Sequence, residues 1–197
     1  MRPLILIWPY WPVFWAVMFW AFAPEYKILR AARQGIASSD SPDAGSFHVI
    51  VYAGGIASVI AIATAWLPLL RISAELRPIA FGLGIVVIVL GSLLRRHCWR
   101  ILGSAFTGDV RAVPNQRIMT TGAYRLLRHP SYSAGILMNI GLGFALGNWA
   151  SIALLTLATF AVYRYRIAVE ERALLRVVGE PYREFMLTRR RLIPFIY

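Results

Sequence analysis

The sequence predicts an all-α fold: a polytopic membrane bundle of about five transmembrane helices, one pair closed as a tight hairpin. Composition is the first observation. The chain is 58% hydrophobic and 15% charged, whereas a soluble domain is roughly half apolar and a quarter charged. Run length is the second: no charge interrupts Pro3–Pro24, Val49–Leu70, Pro78–Leu94 or Ser131–Tyr163. About 20 apolar residues cross a bilayer as a helix, and backbone polar groups in lipid permit little else. The third is the placement of the basic residues at the ends of these runs.

Each element has its own signal. The first span opens with Trp8–Pro9–Tyr10–Trp11–Pro12, followed by Trp15 and Trp20. Indole rings settle at the headgroup level and proline bends helices, so a kinked or partly interfacial start is expected. The span is longer than a signal-peptide core and is expected to be retained. Residues 34–47, rich in Gly, Ser, Asp and Pro, read as a loop. Small residues in the second span (Ala53, Gly54, Gly55, Ala57, Ser58) and third (Gly82, Gly84, Gly91) predict close helix packing. The third helix is expected to run on through Trp99 to Gly103, with turns over 106–117.

Ser131–Tyr163 is too long for one span. A single helix of that length would reach roughly 50 Å, against a ~30 Å hydrocarbon core. Gly147–Asn148 suits a tight turn, which predicts two packed helices of about 15 residues each. Beyond them, Arg166–Val178 resumes helix, with Ile167, Leu174, Val177 and Val178 near one face. Gly179 stops it and Pro181 starts the next turn. The apolar end, Leu192–Tyr197, is expected to pack back against the membrane face or the helices of the site.

There are 21 Lys and Arg against nine Asp and Glu. Lys27, Arg30 and Arg33 follow the first span, Arg95 to Arg128 the third, and Arg164 to Arg191 the fifth. Only Arg2, Arg71 and Arg77 are left for the opposite side. The positive-inside bias puts the amino terminus outside and the carboxyl terminus in the cytoplasm, in a cell (inner) membrane. The net charge of +12 lies beside spans, where anionic lipid attracts it, and no nucleic-acid motif accompanies it. Cys98 alone makes no disulfide framework. His48, His97 and His129 lack metal-ligand spacing, so no metal is expected.

Two constellations carry chemistry. In Arg128–His129–Pro130, proline holds His129 extended ahead of the fourth span. Backbone donors at that helix start, with Arg128, suit a ligand carboxylate or a lipid phosphate. Tyr124 and Tyr132 would stack on a planar group or sit in an aromatic belt. Glu170–Glu171 stands on the helix leaving the membrane. One acid can pair with Arg166; such acids hold a ribose hydroxyl, hold a cation or accept a proton.

The run Gly122–Ala123–Tyr124–Arg125–Leu126–Leu127–Arg128–His129–Pro130–Ser131–Tyr132, preceded by Arg95, Leu102–Gly103 and Phe106, resembles a known family. After the hairpin the resemblance continues in Arg166, Glu170–Glu171–Arg172, Leu174, Gly179, Tyr182 and Arg191–Leu192–Ile193–Pro194. The family is that of the isoprenylcysteine carboxyl methyltransferases and phospholipid methyltransferases, integral membrane enzymes. Ala134 departs from the family's usual glycine two residues after the tyrosine; Gly135 follows it.

The resemblance implies one domain, 1–197, whose first three spans (1–94) precede a cofactor-binding portion (95–197). It implies S-adenosylmethionine as cofactor, held by Tyr124, Arg128, His129, Pro130, Tyr132, Glu171 and Tyr182. Arg166, Glu170, Glu171 and Arg191 are the candidate catalytic residues, at the ribose or the acceptor head. The implied reaction is direct methyl transfer to a lipophilic acceptor, first an isoprenylcysteine-like carboxylate. Phospholipid or amine N-methylation and small-thiol S-methylation are alternatives, and a non-catalytic scaffold or transporter is a second class. Membrane lipid is the expected partner; no oligomeric state follows from the sequence.

Overall fold

The computed structural model describes residues 2–35, 46–103 and 118–193. Six α-helices run through them: α1 (Tyr10–Gly35), α2 (Ser46–Thr64), α3 (Arg77–Leu102), α4 (Pro130–Leu146), α5 (Trp149–Val177) and α6 (Glu180–Thr188). The all-α bundle expected from run lengths is therefore observed. Two helices, α3 and α5, are long and apolar enough to cross a membrane, and His48–Thr64 in α2 is a shorter apolar helix. Large apolar side chains face outward along the bundle, among them Phe19, Val59, Ile79 and Leu157. Such a surface suits lipid rather than water.

The predicted irregular start of the first span is a short 3-10 turn at Leu4–Leu6 and a cis Trp8–Pro9 bond ahead of α1. Pro24 stands inside α1. With no N–H, it leaves the carbonyl four residues back without its helical donor. That carbonyl belongs to Trp20, and the Arg96 guanidinium of α3 donates to it while lying 4.6 Å over the Trp20 ring. One residue on, the Ser92 hydroxyl donates to the Ala21 carbonyl at 3.1 Å. The carbonyl that the proline leaves free in α1 thus becomes one of its attachments to α3.

The centre of the bundle is α4, packed between α3 and α5, with α2 against α5. Backbones touch where α3 meets α4. A Cβ added at Gly84 would lie 2.6 Å from both Ala145 N and Gly141 O, and one at Gly141 would lie 2.7 Å from Gly84 O. The small residues do here what close packing without a hydrophobic drive requires.

The α4–α5 hairpin forms where the sequence placed it. Gly147 takes a left-handed φ of 68° and Asn148 caps α5, accepting from Ala150 N at 2.9 Å. The Asn148 amide is buried and donates to Leu67 O at 3.1 Å. Backbone bonds Ile72 N to Gly147 O (3.0 Å) and Trp149 N to Leu70 O (2.8 Å) tie the hairpin tip to the segment after α2.

Two expectations change. Helix α5 is one continuous element of 29 residues, not a short span followed by a separate charged helix. Nothing between Tyr163 and Val177 breaks a helix, since neither Pro nor Gly occurs there. The loop expected over 34–47 begins later and ends earlier, because α1 includes Gly35 and α2 starts at Ser46. Positions 36–45, all of the expected turns at 106–117, and residues 194–197 of the apolar tail lie outside the described residues.

Candidate functional site

The site lies where the carboxyl end of α3, the amino end of α4 and the charged extension of α5 come together. His129 is the residue before α4, with φ −128° and ψ 54°, and Pro130 is buried at the first helical position. A proline there needs no donor and fixes the helical φ, so the turn carrying Arg128 and His129 is held tightly. Across from it, Arg166, Glu170 and Glu171 succeed one another along α5. A spacing of four puts Arg166 and Glu170 on one side of the helix, at Tyr132, and Glu171, the next residue, meets Arg128 and His129.

Glu171 is the hub, with its side chain 5% exposed. Its Oε1 lies 3.0 Å from Arg128 Nη1 and 3.2 Å from His129 Nε2. Its Oε2 accepts from Arg191 Nη2 at 2.9 Å. Two guanidinium groups and an imidazole offset the desolvation of this carboxylate and favour its charged form. Glu170 is half-buried beside it and accepts from the Tyr132 hydroxyl at 2.8 Å; His129 Nδ1 is 3.9 Å away. The buried Arg166 approaches the same Tyr132 oxygen, Nε to Oη 3.4 Å. Tyr132 thus links Arg166 to Glu170, one of the two acids with which the sequence left a pairing open.

The aromatic residues are arranged in layers. Tyr132 stacks on His129 at 5.7 Å between centroids and on Tyr163 at 4.9 Å. Tyr182 is buried on α6. Burial pushes its phenol pKa up, and the nearby Glu171 and Glu170 charges add to this, so it stays protonated. Tyr124 is buried in a 3-10 turn at Gly122–Arg125, and burial followed by Cys98 and Glu170 raises its phenol likewise. It lines the α3 side of the site, where its hydroxyl meets the Cys98 thiol.

The backbone donors ahead of α4 are engaged, contrary to their expected availability for a ligand. Arg128 N donates to Arg190 O at 2.7 Å and His129 N to Arg191 O at 3.1 Å. Ser133 Oγ adds a bond to Leu192 O at 2.6 Å, and Leu127 and Arg190 form a parallel bridge. The segment after α6 is therefore laid along the turn before α4, which brings Arg191 to Glu171. Leu192, from the tail expected to pack back, is buried there. The side chain of Arg128 retains capacity: its Nε is buried with no hydrogen-bond partner among the described residues.

Sequence reasoning assigned no role to Tyr163, Ser133 or Glu25. Tyr163 ends an apolar run and reads as an interfacial aromatic. Its position opposite Gly135, where an added Cβ would meet the Tyr163 hydroxyl at 2.3 Å, is a tertiary fact without a local signal. Arg95 marks the start of the family-like stretch, yet its partner Glu25 is 70 residues away in sequence.

Residues 83–176 match the model of the isoprenylcysteine carboxyl methyltransferase (ICMT) family. That range holds the Arg-His-Pro segment and both glutamates. A probable protein-S-isoprenylcysteine O-methyltransferase of Oryza sativa subsp. japonica is 30% identical over 115 residues, 57% of this chain and 60% of that protein. The protein-S-isoprenylcysteine O-methyltransferase of Tribolium castaneum is 33% identical over 117 residues, 58% of this chain and 42% of that one. The solved structure of the eukaryotic intramembrane Ras methyltransferase ICMT shares the fold with a TM-score of 0.64 and 26% identity. This likeness covers 98% of the present chain and 70% of that chain. The matches thus span less than two thirds of the length of these curated relatives.

Proposed function

We propose that this chain, a relative of the isoprenylcysteine carboxyl methyltransferase family, transfers a methyl group from S-adenosylmethionine to a lipophilic acceptor at the membrane. The preferred acceptor is the carboxylate of an isoprenylcysteine-like lipid. One observation carries the reading: Arg128 and His129, ahead of α4, converge with Arg191 on Glu171 of α5, beside the Tyr132–Glu170 pair.

The residues fit the cofactor. The buried Arg128 Nε is a charged donor in need of an acceptor, which an amino-acid carboxylate supplies in bidentate geometry. Glu170 and Glu171 are acceptors for ribose hydroxyls or an ammonium group. Tyr124, Tyr132 and Tyr182 offer aromatic walls with protonated hydroxyls, and Pro130 fixes the turn that carries Arg128 and His129. When bound, the cofactor supplies a sulfonium-activated methyl group.

With the electrophile already activated, the protein aligns and desolvates the partners. His129 and Arg128 orient the donor side through Glu171. Arg166 and Glu170 both reach the Tyr132 hydroxyl and hold it. Arg191 is 37% exposed on its side chain, whereas Glu171 is 5% exposed, and this partial exposure supports reading Arg191 as the group that meets an acceptor carboxylate. Such an acceptor arrives ionised and requires no general base. Residues 95–197 are read as the cofactor-binding portion of one domain spanning 1–197. The basic ends of the helices are read as cytoplasmic, with the amino terminus outside a cell (inner) membrane.

Radiolabelled S-adenosylmethionine presented with a farnesylcysteine analogue, an aminophospholipid and a small thiol in parallel tests this reading. Transfer to the farnesylcysteine carboxyl is expected. Transfer confined to the amine or thiol would reassign the acceptor. No binding of S-adenosylhomocysteine to the purified chain would overturn the proposal.

A further inference from the structure

The Arg95 side chain joins three helices. Its Nε and Nη2 form a fork on the carboxylate of Glu25 in α1, with Nη2 to Oε2 at 2.7 Å. Its Nη1 reaches the first turn of α4, 2.9 Å from Ser131 O and 2.8 Å from Ser131 Oγ. The pair is largely withdrawn from solvent, Arg95 at 14% and Glu25 at 30% side-chain exposure, and Ser131 is buried. Ser131 lies between the turn of Arg128–His129–Pro130 and Tyr132, so anything that fixes it fixes both halves of the site.

We infer that Glu25 and Arg95 act as positioning residues for methyl-donor binding, with Arg95 holding the first turn of α4 and Glu25 orienting the Arg95 fork. This rests on the function proposed above. Glu25 lies outside residues 83–176 that match the family, so the relay extends the site into a helix which that match does not reach.

A plain clamp between α1 and α3 would not need this geometry. Ser92 on Ala21 O and Arg96 on Trp20 O already join those helices. What distinguishes Arg95 is the third arm, onto α4. A planar guanidinium can serve a carboxylate with two donors and a serine with another; a lysine ammonium has no such fork. The relay braces the turn from the α3 side, while the Arg190–Leu192 segment braces it by backbone bonds and Tyr163 stacks on Tyr132.

The test is calorimetric binding of S-adenosylhomocysteine to the full chain in detergent, with thermal unfolding of every variant. Arg95→Lys is expected to weaken binding on the order of tenfold. Glu25→Gln and Ser131→Ala are each expected to weaken it severalfold, and Glu25→Gln is expected to add little in the Arg95→Lys background. Arg96→Gln, on the same α1–α3 contact without an arm to α4, is expected to bind as wild type with a thermal midpoint lowered as far as that of Glu25→Gln. Wild-type affinity in both Glu25→Gln and Ser131→Ala, or an equal affinity loss in Arg96→Gln, would overturn the relay. Ser131→Ala removes only a hydroxyl and guards against a folding artefact in the charged variants. Binding absent from wild type itself would instead overturn the functional reading.

Discussion

Glu171 has three cationic or imidazole neighbours and almost no water, which makes it the residue whose loss should be most severe. Glu171→Gln keeps the volume but removes the charge opposite Arg128 and Arg191. Breaking a buried pair by removing one partner leaves an uncompensated charge and costs about 3–5 kcal/mol. Arg191 is partly exposed and water offsets some of this, so a loss of methyl transfer of about a hundredfold is expected. Steady-state kinetics with the farnesylcysteine analogue measures it; activity within a factor of about three of wild type would remove Glu171 from the machinery. Tyr132→Phe isolates a smaller effect. The ring stacks on His129 and Tyr163 persist, while the bond to Glu170 at 2.8 Å disappears. A hydrogen bond to a charged group contributes roughly 1.5–3 kcal/mol, so a loss of about tenfold or more in kcat/KM is expected. Arg128, His129 and both glutamates were legible because Pro130 fixes the local backbone and two adjacent acids stand out in a chain with nine Asp and Glu against 21 Lys and Arg. The sequence could not reveal Glu25, Ser131 or Tyr163 in the same way. Their roles arise from partners on other helices, and locally each is an ordinary residue.

Elements follow the same division. The spans and the hairpin were legible because run length, a turn-forming Gly-Asn pair and bilayer thickness act together. The continuity of α5 through its charged end was not, since a change from apolar to charged marks a change of solvent rather than a helix end. Small residues predicted close packing without saying which glycines touch. Gly141 does: an added Cβ meets the backbone oxygen of Gly84 and Ile88 N at 2.7 and 2.8 Å. Gly141→Ala is expected to force α3 and α4 apart and destabilise the bundle by about 1–3 kcal/mol. At Gly54 in α2 nothing lies within 4 Å of the added carbon, and alanine there should stabilise by roughly 0.5–1 kcal/mol. Thermal unfolding in detergent separates the two. Equal midpoints would mean that the α3–α4 approach does not limit stability.

For the whole molecule, the bundle has a polar end that carries the site and an opposite end where the hairpin tip meets the segment after α2. The antiparallel run of α3, α4 and α5 forces this division, since the end of α3, the start of α4 and the end of α5 must share one face. If basic residues stay cytoplasmic, Glu75, exposed just before α3, faces the outside. Arg183, at 67% side-chain exposure on α6, faces the cytoplasm. Cys98 is the lone cysteine and is buried, so an introduced thiol can be read against a quiet background. A membrane-impermeant maleimide applied to intact cells should label Glu75→Cys and leave Arg183→Cys unlabelled until the membrane is opened. The reverse pattern would place the Glu171 cluster on the outer face. There a methyl donor made in the cytoplasm would have to cross the bilayer before reaching Arg128, so the labelling result bears on chemistry as much as on topology.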